Sequence, residues 1–213
     1  NPTSVVAGKD HSCALDDNGV TCWGRNSTTM KRTSVPELSN PTQISSVLDH
    51  SCAIDDTGVV CWGSFGNGRR NVPELSNPTQ VTAGYNHTCA LDDNGVTCWG
   101  NNRNQKSTPP ATLLNVTSVV AGGGSTCAIH RGGLVKCWGK NNVAQKVIPT
   151  LSNATQLAVG NDHICAVDDN GVSCWGGNTN GKRNVPTLNI VTDNDGDGVK
   201  DADDNAPLDN TVQ

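Results

Sequence analysis

The stretch that decides the fold is residues 87–100, which read HTCALDDNGVTCWG. Two short apolar runs, 88–91 and 96–99, flank Asp-Asp-Asn-Gly, in which glycine can adopt the positive φ that a tight turn needs. If these four residues form the loop of a hairpin, Cys89 lies opposite Cys98. Directly opposed residues of antiparallel strands have Cα atoms about 4.5–5.5 Å apart, a separation that a disulfide tolerates. The sequence therefore predicts a hairpin closed by a disulfide.

Side chains alternate between the two faces of such a hairpin. Leu91, Val96 and the two sulfur atoms share one face, while Ala90, Thr97 and Trp99 share the other. Both faces are largely apolar. We therefore expect the hairpin to be covered on both sides.

The same stretch occurs five times, and the first cysteine of each copy recurs after 37 to 39 residues. The other four copies read HSCALDDNGVTCWG, HSCAIDDTGVVCWG, STCAIHRGGLVKCWG and HICAVDDNGVSCWG. An internal period of this length indicates a repeat architecture. The repeats cover about 1–39, 40–76, 77–114, 115–152 and 153–190.

The ten cysteines form five pairs, one in each repeat, and we expect each pair to be a disulfide. Five disulfides indicate an oxidising compartment, so we expect a secreted or cell-surface protein. Zinc binding and free thiols are the alternatives. Zinc usually takes four ligands, whereas His-x-Cys-x8-Cys offers three, and the fourth repeat has Ser125 in place of the histidine. The expected disulfides are Cys13–Cys22, Cys52–Cys61, Cys89–Cys98, Cys127–Cys137 and Cys165–Cys174.

Composition excludes two classes of protein. The net charge of −5 and the pI of about 5.4 argue against a nucleic-acid partner, which needs a basic face. No run approaches the roughly 18 apolar residues of a membrane-spanning helix. We therefore expect neither nucleic-acid binding nor a membrane span in this chain.

Short strands buried on both faces, in units of about 38 residues, suit the blades of a β-propeller. The pattern V-x-A-G-x-x-H-[ST]-C-A-[LIV]-x-x-x-G-x-V-x-C-W-G-x-N resembles the bacterial form of the regulator-of-chromosome-condensation repeat, whose members are β-propellers. The second repeat departs from it, with Ser46-Val47 for the Ala-Gly pair. We expect an all-β, five-bladed β-propeller over 1–190, closed by residues 1–6 lying beside 185–190, because an open arc would expose two sheet edges. The third repeat matches the pattern at Val81, Ala83, Gly84, His87, Cys89, Ala90, Gly95, Cys98, Trp99, Gly100 and Asn101.

The five tryptophans allow two interpretations. They are core residues that fill the space between blades, or they are sugar-stacking platforms of a lectin. One small alanine in each repeat is available to pack beside each tryptophan, which favours the core role. The tryptophans are Trp23, Trp62, Trp99, Trp138 and Trp175, and the alanines are Ala14, Ala53, Ala90, Ala128 and Ala166.

Residues 191–213 differ from the repeats and predict a calcium-binding connector. Acidic side chains stand at positions 1, 3, 5, 9 and 12 of a twelve-residue loop over 193–204, and Gly198 stands at position 6, where a sharp turn is needed. With aspartate at position 12 and Asn-Ala-Pro-Leu-Asp following, the segment resembles a thrombospondin type 3 repeat. The expected Ca²⁺ ligands are Asp193, Asp195, Asp197, Val199 through its carbonyl, Asp201 and Asp204.

No catalytic site is predicted. The chain has no Gly-x-Ser-x-Gly elbow, no Walker loop and no dinucleotide fingerprint. The paired aspartates lie in hairpin turns, where aspartate is favoured for its turn chemistry. We expect His130 to be solvated in a turn. Four further histidines occupy one repeated position and are expected to hydrogen bond to the backbone between blades: His11, His50, His87 and His163.

The loops after Trp-Gly vary among the repeats and hold most of the Lys and Arg. A rigid scaffold with variable loops is typical of binding proteins. We expect a non-catalytic binding or display module whose partner is an acidic protein patch, an acidic glycan or further domains of the same polypeptide. A lectin-like adhesin is one alternative, and resemblance to the family's beta-lactamase inhibitory members adds an inhibitor of an extracellular enzyme. The candidate partner-binding residues are Arg25, Lys31, Arg32, Arg69, Arg70, Arg103, Lys106, Lys140, Lys146, Lys182 and Arg183.

Overall fold

The computed structural model describes residues 1–140 and 147–187. Their strands form five three-stranded antiparallel sheets, and the strand order in each sheet follows the chain. Each sheet corresponds to one repeat, so the chain is an all-β, five-bladed β-propeller, as the repeats predict. The strands are β1 Ser4–Ala7, β2 His11–Asp16, β3 Gly19–Gly24, β4 Gln43–Val47, β5 His50–Asp55, β6 Gly58–Gly63, β7 Gln80–Ala83, β8 His87–Asp92, β9 Gly95–Gly100, β10 Val116–Ala121, β11 Ser125–His130, β12 Leu134–Gly139, β13 Gln156–Val159, β14 His163–Asp168 and β15 Gly171–Gly176.

The hairpin of the third blade has the predicted register. Cys89 pairs with Cys98 across β8 and β9. The strands continue one residue further than the turn sequence suggests, because Asp92 also pairs with Gly95. Gly95 has a φ of 105°, which only glycine adopts without strain. The glycine of the turn motif is therefore required by the backbone.

All five predicted disulfides are confirmed, and each lies inside one blade. The Cα atoms of the bonded cysteines are 4.0–4.1 Å apart. The fourth blade has one additional residue in its turn, and its cysteines still pair directly across the strands. No disulfide joins two blades, so the blades depend on non-covalent packing to stay together.

Within 1–140 and 147–187 the hydrophobic core is divided into four clusters, and each lies between two neighbouring blades. Between blades 1 and 2, Cys13 and Leu15 pack against Ile44, Ala53 and Trp62. Equivalent residues meet at the other three junctions. We call the face of a blade that carries the disulfide its outgoing face, and the face that carries the alanine and the tryptophan its incoming face. Each junction joins the outgoing face of one blade to the incoming face of the next.

The core interpretation of the tryptophans is confirmed in four blades. Trp62, Trp99, Trp138 and Trp175 are 4–8% exposed, which excludes them as sugar-stacking platforms. Trp23 of blade 1 is 50% exposed, although its strand position is the same. The incoming face of blade 1 therefore lacks the cover that a preceding blade gives to the incoming faces of blades 2 to 5.

Closure of the five blades into a ring is not observed. In every blade the inner strand places one aliphatic residue opposite the incoming-face alanine, and in blade 1 this residue is Val5. The equivalent residues of blades 2 to 5 are 0–7% exposed, whereas Val5 is 70% exposed. Packing of blade 5 on blade 1 would bury Val5 and Trp23, so the prediction that residues 1–6 lie against the fifth blade is wrong. Residues 188–190, which the same prediction includes, lie outside the described residues.

None of the helical segments in the described residues is long and apolar enough to cross a membrane.

Removal of one disulfide should destabilise the fold measurably. We expect Cys89→Ala/Cys98→Ala to lose about 2.5–3 kcal/mol of unfolding free energy, because the bond restricts a loop of about ten residues in the unfolded chain. Urea unfolding of the purified variant and the unaltered chain measures the difference. Peptide mapping under non-reducing conditions provides the control, and a link between different blades would contradict the register described above.

Candidate partner-binding rim

Each blade has two ends, because its central hairpin turns back on itself. In blade 3 the turn after Asp92 lies at one end, and the loop that follows Gly100 lies at the other. The hairpin turns carry paired aspartates in four blades, whereas the loops after Trp-Gly contain no Asp or Glu. We call these ends the acidic rim and the basic rim. The described basic rim comprises 25–32, 64–70, 101–108, 140 and 177–183, and 141–146 lie outside the described residues.

Three loops of the basic rim share a backbone shape although their side chains differ. Each contains a short 3-10 turn with a central asparagine at positive φ, which is 65° at Asn67 and 64° at both Asn104 and Asn180. Asparagine tolerates this left-handed region better than most residues do. The rim therefore presents different side chains on one repeated backbone frame.

Three of the predicted partner-binding residues point into the protein. Arg32, Arg69 and Lys106 are only 4%, 5% and 6% exposed. Arg32 donates hydrogen bonds to Asp49 from Nε at 2.9 Å and from Nη2 at 2.7 Å, and Arg69 Nη1 donates to the carbonyl of Tyr85 at 2.9 Å. The prediction is wrong for these three residues, because their loop position directs them into the space between blades.

Burial also changes the acid–base properties of two of these residues. It lowers the pKa of the Arg69 guanidinium, and Asp49 partly opposes the effect. Burial lowers the pKa of Lys106 as well, and the nearby cations Arg103 and Arg69 lower it further. A buried cation is costly unless it is hydrogen-bonded, and the Arg69 guanidinium donates to the carbonyls of Gly66 and Tyr85, each at 2.9 Å.

The backbone carbonyls of these residues join neighbouring blades. The Arg69 carbonyl oxygen accepts hydrogen bonds from Trp99 Nε1 at 2.9 Å and from Thr88 Oγ1 at 3.2 Å, both in blade 3. Because Thr88 uses its one hydroxyl proton there, it accepts the hydrogen bond of 3.0 Å from His50 Nε2 in blade 2. We call this group of histidine, hydroxyl, loop carbonyl and tryptophan the interblade clasp. The next junction repeats it with His87, Thr126, Lys106 and Trp138.

The other two junctions vary the clasp. Between blades 1 and 2, His11 Nε2 lies 2.9 Å from Ser51 Oγ, and Trp62 Nε1 donates to the Arg32 carbonyl. Between blades 4 and 5 the histidine position holds Ser125 and the hydroxyl position holds Ile164. At this junction the clasp histidine and its hydroxyl partner are therefore replaced together.

The prediction that these histidines bond to the backbone is wrong for His11, His50 and His87, because their partner is a side-chain hydroxyl of the next blade. His163 Nδ1 lies 3.5 Å from Asp162 Oδ1 of its own blade. Burial, together with the charge of Arg69, lowers the pKa of His50 to about 3. Burial and Lys106 lower the pKa of His87 to about 3 in the same way. The imidazoles are therefore neutral and donate through Nε2–H.

The expectation for His130 is also corrected. It is the last residue of β11 and is 8% exposed, so it is not solvated in the turn. Burial, together with Arg131 and Lys136, lowers its pKa. It occupies the strand position that aspartate holds in the other four blades.

The remaining predicted residues divide into exposed and partly buried side chains. Arg70 is partly buried, and its guanidinium lies 3.7 Å from the ring centre of Phe65, which is 64% exposed. Sequence reasoning missed Phe65, although the single phenylalanine of the chain stands in a variable loop. Lys146 lies outside the described residues. The exposed members are Arg25, Lys31, Arg103, Lys140, Lys182 and Arg183.

On the acidic rim the paired aspartates fix the turns, as their sequence context predicts. In blade 3, Asp92 accepts backbone hydrogen bonds from Ser76 and Asn94, each at 2.9 Å. Asp93 accepts from Ser76 Oγ at 3.2 Å and from Asn77 Nδ2 at 2.6 Å. The same bonds attach the segment before the inner strand to the hairpin turn in blades 2 and 5.

These hydrogen bonds lower the pKa of two carboxyl groups. Burial alone would raise the pKa of Asp55, but bonds from Ser39 and Thr57 outweigh it. The backbone bond from Ser152 is the main cause that lowers the pKa of Asp168. Both carboxylates are therefore engaged in the fold.

The paired histidines and hydroxyls contain the groups of a catalytic nucleophile and its base, but they are buried from solvent. His50 and Thr88 are both 0% exposed, and His50 Nδ1 has no hydrogen-bond partner that would orient the ring. In the described part of the chain, no group of three or more His, Cys, Asp or Glu residues is placed to hold a metal. The predicted Ca²⁺ ligands lie outside the described residues: Asp193, Asp195, Asp197, Val199, Asp201 and Asp204.

One family model matches the chain. It describes the regulator of chromosome condensation (RCC1) repeat and matches 3–28, 79–105, 116–145 and 154–182, slightly more than half of the chain. The second blade, which departs from the repeat pattern at Ser46-Val47, is not among the matched ranges. No curated protein matches the chain.

Solved structures with the same fold include extracellular domains of plant receptor kinases. The ectodomain of the Physcomitrella patens receptor kinase CR4 is 28% identical, with a TM-score of 0.69, over 83% of this chain and 50% of that one. The CRINKLY WD40 ectodomain of Arabidopsis thaliana ACR4 is 28% identical, with a TM-score of 0.66, over 83% and 64%. Prp20p of Saccharomyces cerevisiae, at 19% identity and a TM-score of 0.68 over 83% and 58%, shares the fold. The chain thus spans half to two thirds of these structures.

The buried histidines predict a loss of stability in acid. In the unfolded chain they bind protons near pH 6.5, whereas in the fold they bind them only near pH 3. The fold therefore keeps its full stability above pH 6.5 and loses it as the pH falls towards 3. At two pH units below 6.5, each of His50 and His87 should lower the free energy of unfolding by about 2–3 kcal/mol.

Urea unfolding at a series of pH values measures this slope, and His50→Gln/His87→Gln should flatten it because glutamine can donate the same hydrogen bond without titrating. The partly exposed His163→Gln is the matched control. An equal slope in the double variant and the unaltered chain would contradict the assignment.

Proposed function

The chain belongs to the regulator of chromosome condensation (RCC1) repeat family, and we propose that it is a non-catalytic binding module that recognises an acidic partner through its basic rim. The observation that carries this proposal is the pair of Phe65 and Arg70. An exposed aromatic ring beneath a guanidinium is the kind of anchor that contributes most to binding energy in protein interfaces. It lies on a rim whose loops after Trp-Gly contain no Asp or Glu, and the acidic side chains at this end are those of the turns before the middle strands, Asp10, Asp49 and Asp162.

The charge distribution supports an acidic partner. The chain as a whole has a net charge of −5, so the basic rim is a local exception. Arg25, Lys31, Arg103, Lys140 and Arg183 place exposed cations around the Phe65 loop on the same end of the blades. Such a field steers an acidic surface towards the rim, and salt weakens the attraction.

The proposed setting is extracellular. Five disulfides persist only where the surroundings are oxidising. The likeness to two plant receptor-kinase ectodomains agrees with this setting. We therefore place the binding module in a secreted or cell-surface protein.

The test uses defined acidic probes. Immobilised heparin and a set of acidic proteins should bind the unaltered chain at low ionic strength, and biolayer interferometry measures the affinity. Phe65→Ala/Arg70→Gln should weaken binding at least about tenfold, which corresponds to about 1.4 kcal/mol. Arg131→Gln, in an exposed turn of the acidic rim, is the matched control and should bind like the unaltered chain.

The outcome also separates the alternatives. Binding to neutral glycans that survives the rim substitutions would favour a lectin-like adhesin, and inhibition of an extracellular hydrolase without binding to the acidic probes would favour an inhibitor. Equal losses from the rim variant and from Arg131→Gln would contradict a specific basic-rim site.

The calcium-binding connector remains a proposal from the sequence. Six aspartates within 193–204, five of them at the expected ligand positions, repel one another, and a bound cation removes that repulsion. Oxygen ligands at this spacing are those that Ca²⁺ prefers. In an extracellular setting, even a site with a Kd of roughly 10⁻⁴–10⁻³ M would hold the ion.

Chelation should affect the connector and leave the blades folded, because the blades have their own disulfides. We expect hydrogen exchange to accelerate over 193–210 when EGTA replaces Ca²⁺, with unchanged protection of β2 and β3. Equal exchange of the connector in both conditions would exclude the calcium site, and loss of protection in the blades would place the ion elsewhere.

A further inference from the structure

The incoming face of blade 1 is an uncovered copy of a surface that is buried four times in the same chain. Val5 is 70% and Trp23 is 50% exposed, whereas the equivalent pair in blade 2, Ile44 and Trp62, is 5% and 4% exposed. The surface that covers this pair at every observed junction is the outgoing face of another blade. The shape and chemistry of the missing cover are therefore known from the other junctions.

The outgoing face of blade 5 is the complementary uncovered surface. Cys127, at the disulfide position of blade 4, is 0% exposed, whereas Cys165 of blade 5 is only partly buried. His163 is 31% exposed, although His50 and His87 at the same position are 0% exposed. One molecule thus carries both halves of a blade junction, and they do not meet.

The polar groups of a junction are also present on these two faces. At two of the four observed junctions a glutamine of one inner strand accepts a hydrogen bond from the backbone of the next inner strand. Val81 N donates to Gln43 Oε1 at 2.7 Å, and Val119 N donates to Gln80 Oε1 at 2.8 Å. Blade 5 has Gln156 at this position, and its exposed side chain makes no hydrogen bond to a described residue. The corresponding donor on blade 1 is the backbone N–H of Val5, at the open edge of β1.

The interblade clasp is likewise split between the two ends. Blade 5 offers His163 Nε2 and the Lys182 carbonyl, and blade 1 offers the Ser12 hydroxyl and Trp23 Nε1. None of these four groups has a hydrogen-bond partner among the described residues. At the junction of blades 4 and 5, by contrast, the histidine and the hydroxyl are both replaced. Retention of His163 and Ser12 therefore indicates a junction that uses them.

Charge complementarity points the same way. Arg32 of blade 1 contacts Asp49 of blade 2, the residue directly before the clasp histidine. On blade 5, Lys182 has the loop position that Arg32 has on blade 1. On blade 1, Asp10 stands directly before the clasp histidine, as Asp49 does on blade 2. Lys182 Nζ is paired with Asp162 of its own blade at 3.0 Å, as Arg32 is near its own Asp10 at 3.9 Å. A cation on the outgoing face would thus meet a carboxylate on the incoming face.

We propose that the incoming face of blade 1 binds the outgoing face of blade 5 of a second copy of this chain, so that the molecules associate head to tail. The new junction has Val5 and Trp23 against the Cys165–Cys174 hairpin, with hydrogen bonds from His163 to Ser12 and from Trp23 to the Lys182 carbonyl. An interface between two different faces can add further copies, and it ends only where the rotation closes a ring or where a face is blocked.

Two substitutions block one face each without disturbing the fold, because both side chains are exposed. Val5→Glu puts a charge on the incoming face, and Ala158→Glu puts one on the outgoing face of β13. Each variant alone should be monomeric by light scattering at all concentrations, whereas the average mass of the unaltered chain should rise with concentration. Mixed one to one, the variants should form a dimer and nothing larger, because each contributes its one intact face. Arg131→Glu on the acidic rim is the control and should associate like the unaltered chain.

Several outcomes would overturn the proposal. An unaltered chain that stays monomeric at every attainable concentration would show that no second copy covers the face. Association of either single variant with itself would place the interface elsewhere. A mixture that remains monomeric while both variants keep the thermal midpoint of the unaltered chain would show that the two faces do not bind each other.

Discussion

Packing between neighbouring blades is the interaction on which the rest of the structure depends. A single blade of three short strands has no interior of its own, and its apolar side chains point to its two faces. Ile44, Ala53 and Trp62 are buried only because Cys13 and Leu15 of the blade before them lie against them. The buried histidines, the loop carbonyls and the inward-pointing cations all serve the same contact. The exposed side chains of the rims are free to vary because packing at the junctions, and not the rim side chains, keeps the blades together.

Much of this arrangement could be predicted from the sequence because it depends on neighbours along the chain. The hairpin register follows from a turn sequence and from strand alternation, and it fixes Cys89 opposite Cys98. The large–small pairing of tryptophan with alanine follows from the same alternation. The burial of Arg69 could not be predicted, because a cation in a variable loop has the same local sequence whether it faces water or the next blade. Likewise, the hydroxyl that pairs with His50 is 38 residues away, and no local pattern connects the two.

The failed prediction of a closed ring has a different cause. The number of repeats can be counted, but the angle between successive blades is set by the side chains at each junction. Five blades close only if that angle is large enough. The exposure of Val5 and Trp23 shows that it is not, and the chain therefore has two unlike ends. For the same reason the basic rim is an open row of loops, so a partner larger than one loop can contact several blades.

The confinement of each disulfide to one blade has a consequence for how the protein responds to force. When the chain is pulled along its length, no disulfide opposes the separation of two blades. Tension would therefore separate the blades one after another, beginning at an end, where one face is already bare. Within each released blade the bond between its two cysteines would hold the central hairpin together, so the segment between them could not lengthen. The chain would extend in discrete steps, each shorter than a full repeat. Each released blade would keep its central hairpin, on which its inner strand can pair again.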